Sequence, residues 1–124
     1  MGYLSMNTKE AKRLCVAVGS CLQRHEDLLG ATIKSYIADE SIKAFEILEH
    51  STGRSWASYN DAINSIEDTK IRGLYSEMVR CLSAYRRWIA HSGCQKDKLW
   101  KTTDDLKKTN WRQKIDSFRK ELAY

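Results

Sequence analysis

The chain has 124 residues, enough for one hydrophobic core and too few for two domains of ordinary size. It contains no proline, only six glycines and no alternating runs of β-branched residues, which excludes a β-rich fold and favours an all-α protein. The net charge of +5 is uneven: residues 1–69 carry seven Lys/Arg against ten Asp/Glu, whereas residues 70–124 carry fourteen against six.

The N-terminal half contains two helical patterns. Apolar side chains at three- and four-residue spacing predict a first helix that is capped by Asn7 or Thr8 and ends at about Leu29. A second pattern stops at the turn formers Ser51-Thr52-Gly53. The polar sequence Asp39-Glu40-Ser41 interrupts this second pattern, so the segment is either one long helix or two short ones.

The middle of the chain contains the strongest helical pattern. Residues 54–58 are expected to form a surface loop, and a short helix follows over Tyr59–Ile66. Asp68-Thr69 can cap a central helix whose apolar residues keep a/d spacing for about three heptads. This helix is predicted to end at Ser92-Gly93, where glycine can adopt the left-handed conformation.

The C-terminal part is predicted to contain one further long helix. Residues 94–108 are polar, with one helical turn expected around Leu99-Trp100, and Thr109 is the expected cap of the last helix. Four substantial helices, a short one and brief connections predict an antiparallel bundle that forms a single domain over residues 1–124. Trp56 and Trp100 lie outside the strong apolar stripes, and each is either a loop anchor or an exposed contact residue.

The sequence predicts neither a cofactor site nor a membrane-spanning segment. Its cysteines lack close pair spacing and fit reduced, buried thiols, so we predict neither a metal site nor a cofactor. No apolar run approaches the roughly 20 residues that cross a bilayer, which predicts a soluble, cytoplasmic protein without a membrane partner. His25 lies on the apolar stripe of the first helix and is expected to be a hydrogen-bonded core or boundary residue rather than a ligand. The cysteines are Cys15, Cys21, Cys81 and Cys94.

The segment Tyr85-Arg86-Arg87-Trp88-Ile89-Ala90-His91-Ser92-Gly93 is the one place where the pattern concentrates reactive side chains. In a structural interpretation the arginines flank a core helix, and His91 lies in its last turn, where the helix dipole favours a cation. In a functional interpretation Arg86 and His91 act on a phosphate. On a regular helix Arg87 and His91 share a face, while Arg86 points beside the core seam.

This segment resembles the motif of the HEPN superfamily, small helical bundles in which four to six residues separate an arginine from a histidine near the end of a core helix. The small Ala90 and the glycine after the histidine also match, whereas Arg87 stands where the family commonly has Asn, Asp or His. The resemblance implies a homodimer in which Arg86 and His91 of two subunits catalyse metal-independent RNA cleavage. A basic set would then contact the RNA backbone or an acidic partner: Arg87, Lys107, Lys108, Arg112, Lys114, Arg119 and Lys120.

Two other functions fit the same residues. The main alternative is a non-enzymatic interaction protein, such as an inhibitor, immunity protein or regulatory subunit, that covers an acidic surface of a protein partner. The other is a nucleic-acid binder without catalysis, which would need the basic residues but not His91. Mutation of His91 separates the catalytic function from both.

Overall fold

The computed structural model describes residues 5–28, 34–90 and 96–122. Within these ranges the chain forms helices, one 3-10 turn after the third helix and an isolated bridge between Met6 and Ile66, so the all-α prediction is confirmed. The helices are α1 (Thr8–Leu28), α2 (Lys34–Thr52), α3 (Trp56–Ala62), α4 (Thr69–Ala90), α5 (Lys96–Lys107) and α6 (Trp111–Glu121).

Two of the predicted helix starts are confirmed by side-chain caps. The Oδ1 atom of Asn7 accepts a hydrogen bond from the backbone N–H of Glu10 at 2.8 Å. Asp68 Oδ1 accepts from the N–H groups of Lys70 and Ile71 at 2.9 and 3.1 Å. Each cap satisfies N–H groups that lack a partner in the first turn of a helix.

The polar sequence Asp39-Glu40-Ser41 does not interrupt α2, which is one continuous helix. Ser41 is buried, and its hydroxyl lies 2.7 Å from Nε2 of His25. Because a neighbouring helix satisfies this polar group, the serine can face the interior without breaking the helix.

The continuous α2 is one of the two predicted alternatives, whereas three predictions about other elements were wrong. The expected loop at residues 54–58 contains the start of α3, and the polar stretch before Lys108 contains the twelve-residue helix α5. Thr109 does not cap α6, because its hydroxyl donates to the carbonyl of Leu106; Asn110, in the left-handed conformation at φ 56°, precedes the helix. The described residues therefore form six helices rather than four long helices and a short one.

Helix α5 was missed because two of its buried positions are threonines. Thr102 and Thr103 are buried between Leu99 and Leu106 along the inner face of the helix. Their hydroxyls donate to carbonyls of the preceding turn, at Leu99 and Trp100, both at 2.9 Å. Threonine can therefore occupy a core face here without an unpaired hydroxyl, although it contributes little to an apolar pattern.

The core lies around α1 and α4, against which the other helices pack. Tyr59, Tyr75 and Tyr85 are its largest fully buried side chains, and the Tyr75 hydroxyl donates to the carbonyl of Tyr59 at 2.7 Å. A Cβ atom added at Gly19 would lie 2.9 Å from Cγ1 of Ile115, so α1 and α6 approach closely at this glycine. This packing fixes the faces that form the sites described below.

Candidate functional site

Arg86 lies at the surface near the end of α4, with its guanidinium over two aromatic rings. Its Cζ atom is 4.9 Å from the ring centroid of Trp56 and 5.4 Å from that of Phe45. The two rings are 5.3 Å apart and nearly perpendicular, at 86°. Cations are attracted to ring faces at these distances, so residues from α2, α3 and α4 hold this group. We call Arg86, Phe45 and Trp56 the arginine clamp.

The structure decides between the two alternatives that the sequence left for Trp56, a loop anchor or an exposed contact residue. This side chain is half-buried and packs against Phe45 and Tyr59, with a centroid distance of 5.9 Å to the tyrosine. Trp56 is therefore an anchor for the start of α3. Trp100, by contrast, is 41% exposed.

Arg87 is also exposed, one residue beyond the clamp. Successive helical residues point about 100° apart, so Arg87 leaves α4 in a different direction from Arg86. His91 lies outside the described residues, as do Ser92 and Gly93. The arrangement of Arg86 and Arg87 is therefore known, while the Arg86–His91 pairing remains a prediction.

His25 lies behind the clamp and is a core residue, as expected from the sequence. It is 1% exposed, and its ring centroid lies 5.0 Å from that of Phe45. Nδ1 lies 2.8 Å from the carbonyl oxygen of Cys21, which can only accept, so this nitrogen carries the proton. Nε2 then accepts from the hydroxyl of Ser41. Burial lowers the pKa of His25 below its ordinary value, which favours this neutral form.

Two of the three arginines in the predicted basic set, Arg112 and Arg119, hold helices together. Arg112 Nη2 donates to Oε1 of Glu26 on α1 at 2.8 Å, and the guanidinium lies over Trp111. Arg119 pairs with Asp116 at 2.7 Å and donates to Ser20 and Gln23 of α1. These contacts join α6 to α1, so they give both arginines a structural role.

The lysines of the same set remain exposed. Within the described part of the chain, none of them forms an ion pair. They are therefore available for an anionic partner, together with Arg86 and Arg87. These lysines are Lys107, Lys108, Lys114 and Lys120.

A groove between α1 and α2 was not anticipated from the sequence. It encloses about 540 Å³, a volume within the usual range of ligand sites. Apolar side chains form its floor, and arginines from three parts of the chain lie around it. We call it the α1/α2 groove; its floor includes Leu14, Ala17, Cys21, Ala44 and Leu48, and its arginines are Arg13, Arg24, Arg54 and Arg119.

The spacing along α1 explains the shape of the groove and was the signal available in the sequence. Arg13, Ala17, Ser20 and Arg24 follow one another at intervals of four, three and four residues, which places them on one face of a helix. Two small side chains therefore lie between two long cationic ones. This stripe lies beside the apolar core stripe of α1, which dominates the hydropathy pattern of the helix.

A smaller cavity of about 150 Å³ lies beside Tyr85, Glu26 and Lys107. The Tyr85 hydroxyl and Oε2 of Glu26 are buried there and form no hydrogen bond. Burial raises the pKa of the Tyr85 hydroxyl, which therefore stays protonated and able to donate. The chemistry available at this cavity is one donor beside one carboxylate acceptor.

Thiol and metal chemistry find no support in the described residues. Burial raises the pKa values of Cys15, Cys21 and Cys81 to about 12, so these thiols remain protonated and unreactive near neutral pH. Cys94 lies outside the described residues. Residues 5–28, 34–90 and 96–122 contain no group of three or more His, Cys, Asp or Glu side chains placed to hold a metal ion.

The described helices also include none with the length and apolar character needed to span a bilayer. No protein-family model, curated protein or solved structure matches the chain. The clamp, the groove and the exposed lysines are therefore the features of the described residues that bear on function.

Proposed function

We propose that this chain is an RNA-directed protein of the HEPN type, with its phosphate-binding site at the end of α4. The arginine clamp is the observation that carries the proposal. An exposed guanidinium held over aromatic rings keeps its N–H groups available, and their planar arrangement suits bidentate contact with phosphate. Exposed Arg87 adds a second positive charge next to it.

The specific activity we propose is metal-independent RNA cleavage by a homodimer, as the family resemblance implies. His91 accepts the proton of a ribose 2′-hydroxyl, and that oxygen bonds to the adjacent phosphorus while the 5′-oxygen leaves. An imidazolium returns a proton to the leaving oxygen, and Arg86 stabilises the negative charge on the phosphorane oxygens. The products are a 2′,3′-cyclic phosphate and a 5′-hydroxyl.

The exposed lysines extend this proposal to the RNA backbone. Lys107, Lys108, Lys114 and Lys120 have no intramolecular ion pairs among the described residues, so their charges are available to phosphates. Arg112 and Arg119, which contact α1, are removed from the proposed binding set.

The test is cleavage of mixed cellular RNA by the purified protein in excess chelator, with analysis of fragment lengths and 3′ ends. Wild type is compared with His91→Ala, Arg86→Ala and Lys70→Ala. Lys70 is the matched control, since it is an exposed cation at the opposite end of α4. Circular dichroism and sedimentation velocity establish that each variant keeps its fold and its oligomeric state.

Fragments ending in 2′,3′-cyclic phosphate, lost in the His91 and Arg86 variants and retained in the Lys70 variant, would support the proposal. Cleavage that persists without His91 would contradict its catalytic role. A folded wild-type protein that binds RNA without cleaving it would leave only the binding function, and one that neither binds nor cleaves RNA would overturn the whole proposal.

A specific observation favours the non-enzymatic alternative as a second candidate. An inhibitor, immunity protein or regulatory subunit needs a surface that takes an acidic partner, and the α1/α2 groove combines an apolar floor with arginines. This candidate uses neither Arg86 nor His91, so the two functions can be tested separately.

A further inference from the structure

We propose that the α1/α2 groove binds an acidic amphipathic helix from a partner protein. This proposal rests on the second candidate function and makes no use of the arginine clamp or His91. It follows from the floor of the groove, the order of side chains along its α1 wall and the distribution of its charges.

The floor supplies an apolar surface that a partner can cover. Leu14, Cys21 and Leu48 line it, and Ile47 on the α2 side is 50% exposed. Leu14, Cys21 and Leu48 are at most 5% exposed, so the apolar surface open to a partner is that of Ile47 and the partly exposed Ala17. An amphipathic helix in the groove would remove these two side chains and its own apolar stripe from water, which is the main favourable term in helix-in-groove recognition. A phosphate backbone would bury the same floor without apolar contacts, so a polypeptide fits it better than RNA.

The α1 wall has small residues at its centre, where Ala17 is partly exposed and the Ser20 hydroxyl accepts a hydrogen bond from Arg119 at 2.8 Å. Ala17 and Ser20 lie between Arg13 and Arg24, and both arginines are exposed. The distance between helix axes depends on the size of the side chains at the contact, so small residues permit close approach. Arg24 lies eleven positions after Arg13, which corresponds to about 16 Å along α1 and to nearly the same direction around it.

The charges of the groove favour a partner with negative charge and determine the spacing of its acidic residues. Within the described residues Arg13, Arg24 and Arg54 form no ion pair, while Glu10 is the carboxylate that lines the groove. A ligand with a single anionic head group would reach the arginine at one end. A helix with acidic residues about eleven positions apart reaches Arg13 and Arg24 together, and this spacing is what the geometry favours.

The probe is a synthetic helical peptide of about 16 residues, roughly 24 Å long, with a leucine stripe and flanking glutamates eleven positions apart. Its binding is measured by fluorescence anisotropy at physiological ionic strength, where charges more than about 8 Å apart are largely screened. A second peptide has lysine in place of glutamate, and a third has serine in place of leucine. Dodecanoate and a short RNA are tested as other occupants.

Two doubly substituted proteins make the test specific. Arg13→Glu with Arg24→Glu reverses both charges of the groove wall, and Lys98→Glu with Lys101→Glu makes the same change in net charge on α5. All four side chains are exposed, and none forms an ion pair among the residues that the structure describes. Both proteins are therefore expected to fold, which circular dichroism checks.

We expect the glutamate peptide to bind wild type and the α5 variant with similar affinity, and the groove variant at least about tenfold more weakly. The lysine and serine peptides should bind no protein measurably. Equal binding to both variants, equal binding of the lysine peptide or no binding of the glutamate peptide would overturn the proposal.

The other occupants give distinct results that also overturn it. Binding of dodecanoate, but not of the peptide, would assign the groove to a small amphiphile. Dimerisation of wild type that the groove variant abolishes would assign it to a second copy of the chain, and loss of RNA binding in that variant would assign it to nucleic acid. Since the groove variant retains Arg86 and His91, its RNA cleavage also shows whether the two proposals fail independently.

Discussion

The arginine clamp predicts a measurable coupling between Arg86 and Trp56. We consider Arg86→Ala, Trp56→Ala and the double variant, with the free energy of unfolding measured for each in urea, which leaves charge interactions unscreened. Arg86→Ala alone removes contacts with two rings. Trp56→Ala alone removes a half-buried side chain, so it should destabilise the protein more than the arginine substitution.

The magnitude of the coupling follows from the geometry. The guanidinium lies 4.9 Å from the Trp56 ring centroid, within the range in which exposed cation–π pairs contribute about 0.5–1 kcal/mol. The double variant should therefore be more stable than the sum of the single effects predicts, by about that amount. Because Phe45 keeps its own contact at 5.4 Å, the coupling with Trp56 accounts for only part of the effect of Arg86→Ala.

Two further variants identify the interaction as one with the ring. Trp56→Phe should keep part of the coupling, because phenylalanine offers a weaker ring face than tryptophan. Arg86→Lys should keep the charge but lose the planar group that stacks on the rings. If the effects of Arg86→Ala and Trp56→Ala on the free energy of unfolding are strictly additive, the two side chains do not stabilise each other. The proposal that the aromatic rings hold Arg86 in position to bind phosphate would then fail as well.

Three other predictions test the packing, the buried histidine and the basic set. Gly73→Ala should raise the free energy of unfolding by roughly 0.5–1 kcal/mol, because nothing lies near the added methyl group. Gly19→Ala should have a free energy of unfolding about 1–3 kcal/mol lower than that of Gly73→Ala, because its methyl group overpacks against α6. Urea unfolding measures both values. Because burial lowers the pKa of His25, the unfolded chain binds a proton at this residue more readily than the folded protein does. The stabilisation from neutral His25 is therefore fully present above its ordinary pKa of 6.5 and is lost as pH falls below that value. His25→Gln should make the free energy of unfolding in urea less dependent on pH in this range. Lys114→Gln should reduce the steepness of the plot of log affinity for single-stranded RNA against log salt concentration by about 0.7, because one phosphate contact is lost. Arg112→Gln should leave that slope unchanged and lower the melting temperature, because Arg112 pairs with Glu26.

The sequence predicted those parts of the fold that depend on local chemistry. Asn7 and Asp68 were recognisable caps because a capping side chain acts on N–H groups two or three residues further along. Helix α5 was missed because Thr102 and Thr103 occupy buried positions through hydrogen bonds that a hydropathy pattern does not record. Ser41 gave the same difficulty in α2, since its partner is on another helix.

The candidate site was predictable only in its individual residues. The segment around Arg86 was conspicuous by composition, but the rings that hold its guanidinium come from Phe45 and Trp56, which are distant in sequence. The α1/α2 groove depends on α2 packing beside Arg13 and Arg24, and helical spacing on α1 alone does not specify that contact.

The uneven charge of the chain has a partly internal explanation. The acidic N-terminal half and the basic C-terminal half meet where α1 packs against α6, and Arg112 pairs there with Glu26. Some of the C-terminal excess is thus neutralised within the molecule, while Arg13 and Arg24 stay unpaired, among the described residues, in the half that is acidic overall. Net charge per segment therefore points to the wrong half of the chain for the groove, because recognition depends on which cations remain unpaired and on the surface beside them.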